Sequence, residues 1–156
     1  MHDDEHGADS RQTIPPHTGQ SPIKLRTGLI EHMNLDVASA LTHLIESRQI
    51  YLLQLRSIGG AVNDISPKET AHTHRTQNLF VSAFGDAPQR HTPDTLWETL
   101  TPHLSGLYIN FESDTSLERV RDAYPSPVFE HLQRLKREYD PENILNQNFN
   151  IPPATD

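Results

Sequence analysis

The chain has 156 residues, with 21 acids against 13 bases, a formal charge of −8 and 0 cysteines. That length allows one domain, or a flexible arm plus a smaller domain, and the lack of cysteine excludes disulfides, thiolate nucleophiles and cysteine-based zinc sites. The acidic balance disfavours nucleic acid as a partner, since phosphate binding needs a basic face; no apolar run reaches the length of a membrane span, so a soluble cytoplasmic protein is expected.

Residues 1–27 are poor in apolar residues and show no period. They read as a disordered arm, unable to bury enough surface to offset the entropy of ordering. The arm has no apolar h-region and begins with acids, unlike a secretion signal. Over 34–48, Val37, Leu41, Leu44 and Ile45 fall at helical spacing behind Asn34 or Asp36 as a cap. "IYLLQLRSIGGAV" follows as a strand ending at Gly59-Gly60, and "NLFVSAFG" as another, with Leu79, Val81 and Ala83 on one side. "TPDTLWETLTPHL" predicts a helix with Thr92 and Pro93 at its start and a stripe of Leu96, Trp97, Leu100 and Leu104.

"LYINFES" predicts a third strand, with Leu107, Ile109 and Phe111 facing one way and Tyr108, Asn110 and Glu112 the other. Such a strand suits a site wall, and it equally suits any surface strand of an antiparallel sheet. A short helix over "SLERVRDAY" stops at Pro125. A longer one carries Val128, Leu132, Leu135 and Tyr139 and stops at Pro141. The whole predicts an α+β fold: an antiparallel sheet covered by helices on one face, with its other face bare or meeting a partner.

Among 10 histidines, His72 and His74 in "AHTHR" are the best metal pair, but no third ligand stands at a recruiting distance, so no metal site is assigned. Gly59-Gly60 lacks the further glycines of a phosphate loop and reads as a turn. Asp140 and Glu142 read as solvated acids at a helix end. Asn143, Asn146, Asn148 and Asn150 crowd the last segment. Amides both donate and accept, so they suit a neutral ring carrying alternating carbonyl and N–H groups; a plain polar tail has the same composition.

The order "GGAVNDI…ETAHTHR", "LYINF", "AYPSPVFEHLQRLKREYDPENIL…NFNIPP" resembles the C-terminal part of the berberine bridge enzyme-like family of FAD-linked oxidoreductases. The resemblance runs from about Leu35 to Pro153. Its most specific elements are Tyr124, Leu135-Lys136, Asp140-Pro141-Glu142-Asn143, Asn148-Phe149-Asn150 and Ile151-Pro152. It implies a partial substrate-domain segment over 28–105 and a flavin-facing C-terminal segment over 106–156. The complete enzyme would bind FAD in a larger domain and oxidise an alcohol or amine carbon of a small molecule, by proton abstraction and hydride transfer to flavin. Tyr108 would be the catalytic acid–base or orienting residue, with Asn110, Asn148 and Asn150 toward the cofactor.

Three positions depart from the family pattern. Phe111 stands where some relatives carry a second tyrosine used as base, and His72 and Pro125 stand where relatives more often have an aromatic and a glycine. The glycine-rich pyrophosphate loop, and the His and Cys to which many relatives attach FAD, have no counterpart. The resemblance therefore implies a C-terminal piece that does not retain FAD alone, is inactive alone, and needs a flavin-domain polypeptide to cover its sheet. The alternatives are a stand-alone interaction module of the same fold without redox activity, and a histidine-rich metal protein.

Overall fold

The computed structural model describes residues 23–86 and 93–155. Three strands, β1 (Ile23–Ile30), β2 (Ile50–Ser57) and β3 (Leu79–Asp86), form one antiparallel sheet in the order β1-β3-β2. Helices α1 (Leu35–Glu46), α2 (Pro93–Leu100), α3 (Leu117–Ala123) and α4 (Val128–Tyr139) complete an α+β architecture. No helix among the described residues is long and apolar enough to cross a membrane.

Local chemistry explains where the helices begin and end. The side chain of Asn34 accepts from the Val37 N–H at 2.9 Å and caps α1. Ser116 caps α3 in the same way through the Arg119 N–H. α4 closes at Asp140, next to Pro141, and Asp140 is more than a solvated acid. Its carboxylate accepts from the backbone N–H groups of Ile144 (2.8 Å) and Leu145 (2.9 Å) and pairs with Lys136. The hydrogen bond from Lys136 leads the causes that hold its pKa below the ordinary value.

One face of the sheet packs against α1 and α2. Val81 and Ala83 of β3 and Ile30 of β1 meet Val37, Leu41, Leu44, Trp97 and Leu100 in a single buried cluster. A second cluster joins Leu107 and Ile109 to Val120, Ala123 and Phe129, with Phe149 and Ile151 packed on it. It ties the last residues of the chain back onto α3 and α4.

Two expectations are corrected. The disordered arm was expected through residue 27, yet Ile23–Thr27 belong to β1; the rest of that expectation, residues 1–22, lies outside the described residues. The segment "IKLRTGLI" shows no apolar alternation because Arg26 and Thr27 are buried in place and satisfied from elsewhere in the chain.

The second correction is that "LYINFES" forms no strand. It runs along the outer edge of β1 and tightens into a 3₁₀ turn at Ile109–Phe111. At one end, Ser105 N–H donates to Leu29 C=O and Leu29 N–H to Gly106 C=O, both at 2.8 Å. At the other, Ser113 N–H donates to Leu25 C=O (3.1 Å) and Leu25 N–H to Ser113 Oγ (2.9 Å). Between them the chain stands off from the strand, and side chains finish the ladder. Thr27 N–H donates to Glu112 Oε2 (3.3 Å), and Thr27 C=O accepts from Arg119 Nη2 (3.1 Å).

Glu112 is the centre of this edge, its side chain 0% exposed. Oε1 accepts from Arg26 Nη1 (2.7 Å) and from the backbone N–H groups of Ser113 (2.8 Å) and Asp114 (3.0 Å). Oε2 accepts from Arg119 Nη2 at 2.9 Å besides Thr27. A buried carboxylate is tolerable only when paired and fully hydrogen-bonded, which is met here. The turn also revises the expected parity. Leu107 and Ile109 point inward and Tyr108 and Asn110 outward as read, but Phe111 swings to the side of Tyr108 and Glu112 turns in.

The opposite edge is different. Among the described residues no backbone group pairs with the outer edge of β2, where Tyr51, Leu52 and Leu55 are exposed.

Removing the buried anion while leaving its two arginines in place should be costly. Glu112→Gln is expected to lower the unfolding free energy by about 3–5 kcal/mol, read from the urea midpoint of the folded chain. A loss below about 1 kcal/mol would show that the edge is held by backbone alone.

Candidate functional site

The strand register places Phe80, Ser82 and Phe84 on the sheet face away from the helices, alongside Thr27 and Leu29 of β1 and Gln54 and Arg56 of β2. Tyr108 and Phe111 lie against this face. The Phe80 and Tyr108 rings meet edge-to-face at 6.0 Å between centroids, Phe80 and Phe111 at 6.1 Å, and Tyr108 and Phe111 at 5.9 Å. The Arg56 guanidinium sits 5.9 Å from the Phe111 ring centroid, a cation–π distance. The cluster is apolar, with the phenol at its rim.

Tyr108 is 38% exposed, and its hydroxyl accepts a 2.8 Å hydrogen bond from Asn110 Nδ2. Its backbone carbonyl is anchored to β1 by Thr27 Oγ1 at 3.1 Å. Two depressions flank the ring. The larger, about 520 Å³, is walled by Leu29, Phe80 and Phe111, with Arg56, His72 and Tyr108 as its titratable groups. The smaller, about 200 Å³, lies between Tyr108, Asn110, His72 and Tyr124. A mostly apolar hollow with a few convergent polar groups is the ordinary form of a small-molecule site.

Among the described residues no group of three or more His, Asp or Glu could hold an ion. The His72 and His74 rings meet edge-on at 5.9 Å, and each has its own task. His74 is buried, with Nε2 3.1 Å from the Ala123 carbonyl, so the neutral tautomer donates there. Gly106, at φ +115°, leaves room for this ring, since a Cβ at that position would fall 2.0 Å from His74 Cε1. Burial is the leading cause that lowers the pKa of both histidines, followed for His72 by the nearby Arg75 cation and for His74 by an opposing hydrogen bond to Ala123. Burial likewise raises the Tyr124 phenol, with Tyr108 as a second cause.

The structure therefore brings Tyr108 and Asn110 into direct contact, while Asn148 and Asn150 line neither of these depressions. Those two flank Phe149, which packs into the second core cluster. Asn148 holds the left-handed conformation (φ 57°) that asparagine tolerates better than most residues. Asn150 Oδ1 is buried with no hydrogen-bond partner among the described residues. Arg56 and Phe80 were not foreseen as site residues, because their neighbours come from distant parts of the chain. His72 was foreseen only as a metal candidate.

The fold is that of berberine bridge enzyme-type FAD-linked oxidoreductases. The structure aligns with berberine bridge enzyme from Eschscholzia californica at a TM-score of 0.67 and 21% identity, covering 86% of this chain and 33% of that one. With glucooligosaccharide oxidase from Acremonium strictum, described with a 6-S-cysteinyl, 8α-N1-histidyl FAD, the TM-score is 0.69 at 18% identity, over 87% of this chain and 34% of that one.

Residues 107–152 match the family described as "Berberine and berberine like". Among curated proteins, the FAD-linked oxidoreductase sorD of Penicillium rubens is 28% identical over 122 residues, 68% of this chain. The chain spans about a quarter of that relative's length (25%).

The buried His74 and the partly buried His72 set a direction for stability against pH. Their folded pKa values lie below the ordinary 6.5, so below that value the unfolded chain binds more protons than the folded one. The urea midpoint should hold at neutral pH and fall as pH drops below 6.5. His74→Gln should flatten that acid slope. A midpoint that rises on acidification would contradict the assignment.

Proposed function

We propose that this chain forms the substrate-facing wall of an FAD-linked oxidoreductase that oxidises an alcohol or amine carbon of a small molecule, and that it is inactive without a flavin-domain polypeptide. The observation that carries the reading is the hydrogen-bonded Tyr108–Asn110 pair, set among Phe80 and Phe111 on the helix-free face of the sheet, inside the segment matched to the family. The likeness to sorD, an FAD-linked oxidoreductase, and to glucooligosaccharide oxidase with its FAD supports the cofactor.

The donor set fits a flavin ring better than the rest of FAD. Aromatic walls suit a flat heterocycle, and the Asn110 amide beside Tyr108 brings both donor and acceptor to its edge. Asn110 and Asn148 would add amide groups for the ring, while the pyrophosphate and adenosine fall to the partner polypeptide. When bound, FAD supplies the two-electron acceptor. Tyr108 has its oxygen accepting from Asn110, so its O–H is free to turn toward a substrate heteroatom and orient it. Phe80 and Phe111 exclude water from the reacting carbon, and the Arg56 cation at the rim favours groups of negative charge.

A chimera tests this reading, with the chain replacing the matching region of the sorD oxidoreductase. The chain alone, mixed with FAD and gel-filtered, should emerge without visible flavin absorbance, whereas the chimera should keep it. Tyr108→Phe in the chimera should lower kcat by about 100-fold with flavin content unchanged. A folded chimera without flavin, or an unaltered kcat, would overturn the proposal and favour an interaction module.

A further inference from the structure

We infer that His72 is the proton acceptor of this site, taking the hydroxyl or ammonium proton of the substrate held at Tyr108. The inference rests on the oxidoreductase reading above and names a further catalytic residue for it.

The geometry comes first. His72 lines both depressions that flank the Tyr108 ring, so whichever side a substrate takes, the imidazole is part of its wall. Around the larger hollow the remaining lining is aliphatic, aromatic, serine or glycine, apart from Arg56 and Tyr108. Arginine has no lone pair to offer, since its guanidinium stays protonated. The Tyr108 oxygen already accepts from Asn110. Phe111, against the same ring, carries no titratable group. Histidine is the one side chain whose ordinary charge change falls between about pH 5 and 8.

The groups around the imidazole agree on its state. Arg75 is the neighbouring cation, the His74 ring stands 5.9 Å away, and Arg56, Tyr108 and Tyr124 face it across the hollows. Partial burial and the Arg75 charge both disfavour imidazolium; the backbone hydrogen bond at His74 opposes them and is the smallest cause. A neutral imidazole carries one ring nitrogen whose lone pair can take an incoming proton.

With an alcohol, the O–H bond would break and its proton would go to the free imidazole nitrogen of His72. The C–H bond of the same carbon would break with its hydride, and both electrons, passing to the two-electron acceptor that FAD supplies when bound. The C–O single bond would become a carbonyl. The proton would leave His72 to solvent through the open face before the next turnover.

The first test uses the chain as it is, with diethyl pyrocarbonate, which acylates only unprotonated imidazole. Peptide mapping of the folded chain between about pH 5 and 8 should show His72 acylated with a half-maximal rate below pH 6.5. No reaction at His72, or a midpoint at or above 6.5, would overturn the inference. The second test uses the FAD-loaded chimera with benzyl alcohol and benzylamine as probes. His72→Gln should lower kcat about 100-fold and abolish the acid limb of the pH profile, with partial rescue by added imidazole. A variant that keeps wild-type kcat and its acid limb would sink the assignment. A chimera that fails to hold FAD would overturn the oxidoreductase reading and the role of His72 with it, whereas a flavin-loaded, active chimera in which His72→Gln changes nothing overturns the role of His72 alone.

Discussion

A carboxylate with no exposed surface, Glu112, holds the sheet to everything that follows it in the chain. An edge strand presents a row of backbone groups that must find partners, and β1 finds them at three levels: backbone at Ser105 and Gly106, side chain at Glu112 and Arg119, and both at Ser113. The middle level is decisive, because there the passing chain is too far away to pair as a strand. The anion supplies an acceptor, Arg119 supplies a donor, and Arg26 helps to neutralise the buried charge.

This arrangement is also what builds the site. Because Glu112 reaches in to do the work of a strand, the backbone between Gly106 and Ser113 is released from the ladder and can tighten into a turn. The turn places Tyr108 and Phe111 side by side over Phe80, which an extended strand would forbid, since residues three apart in a strand face opposite ways. Thr27 Oγ1 then fixes the Tyr108 carbonyl from below. Gly106 admits the His74 ring beside the same segment, and His72, two residues earlier, lines the hollows. Stability and site geometry thus share one set of contacts, and neither can be changed without the other.

What could be read in advance follows from where the information lies. α1 and α2 carry their apolar stripes and stop signals within a dozen residues, so Val37, Leu41, Leu44, Trp97 and Leu100 were legible as core, whereas Ile45 and, in α4, Tyr139 of the expected stripes stand exposed and Phe129 is buried instead. β3 was legible because Val81 and Ala83 alternate against one core. β1 was not, because Arg26 and Thr27 are satisfied by residues some 85 positions away. "LYINFES" alternates convincingly, yet Phe111 and Glu112 exchange faces for a reason located in α3 and β1. At the site, the Tyr108–Asn110 contact is local and was visible, whereas Arg56, Phe80 and the orientation of His72 depend on strand register, which no short stretch encodes. The closing asparagines divide the same way. Asn150 keeps an unsatisfied carbonyl oxygen, and Asn148 is used for its backbone conformation.

The two margins of the sheet are unequal. One is sealed by ionic and hydroxyl groups; at the other, the outward N–H and C=O groups of β2 meet no partner among the described residues, beside exposed Leu52 and Leu55. Among the described residues, growth of this sheet is therefore polar: the open edge is that of β2, and the register of an added strand along it decides which of its alternating side chains extend the aromatic floor beneath Tyr108 and which the helix-covered layer behind it.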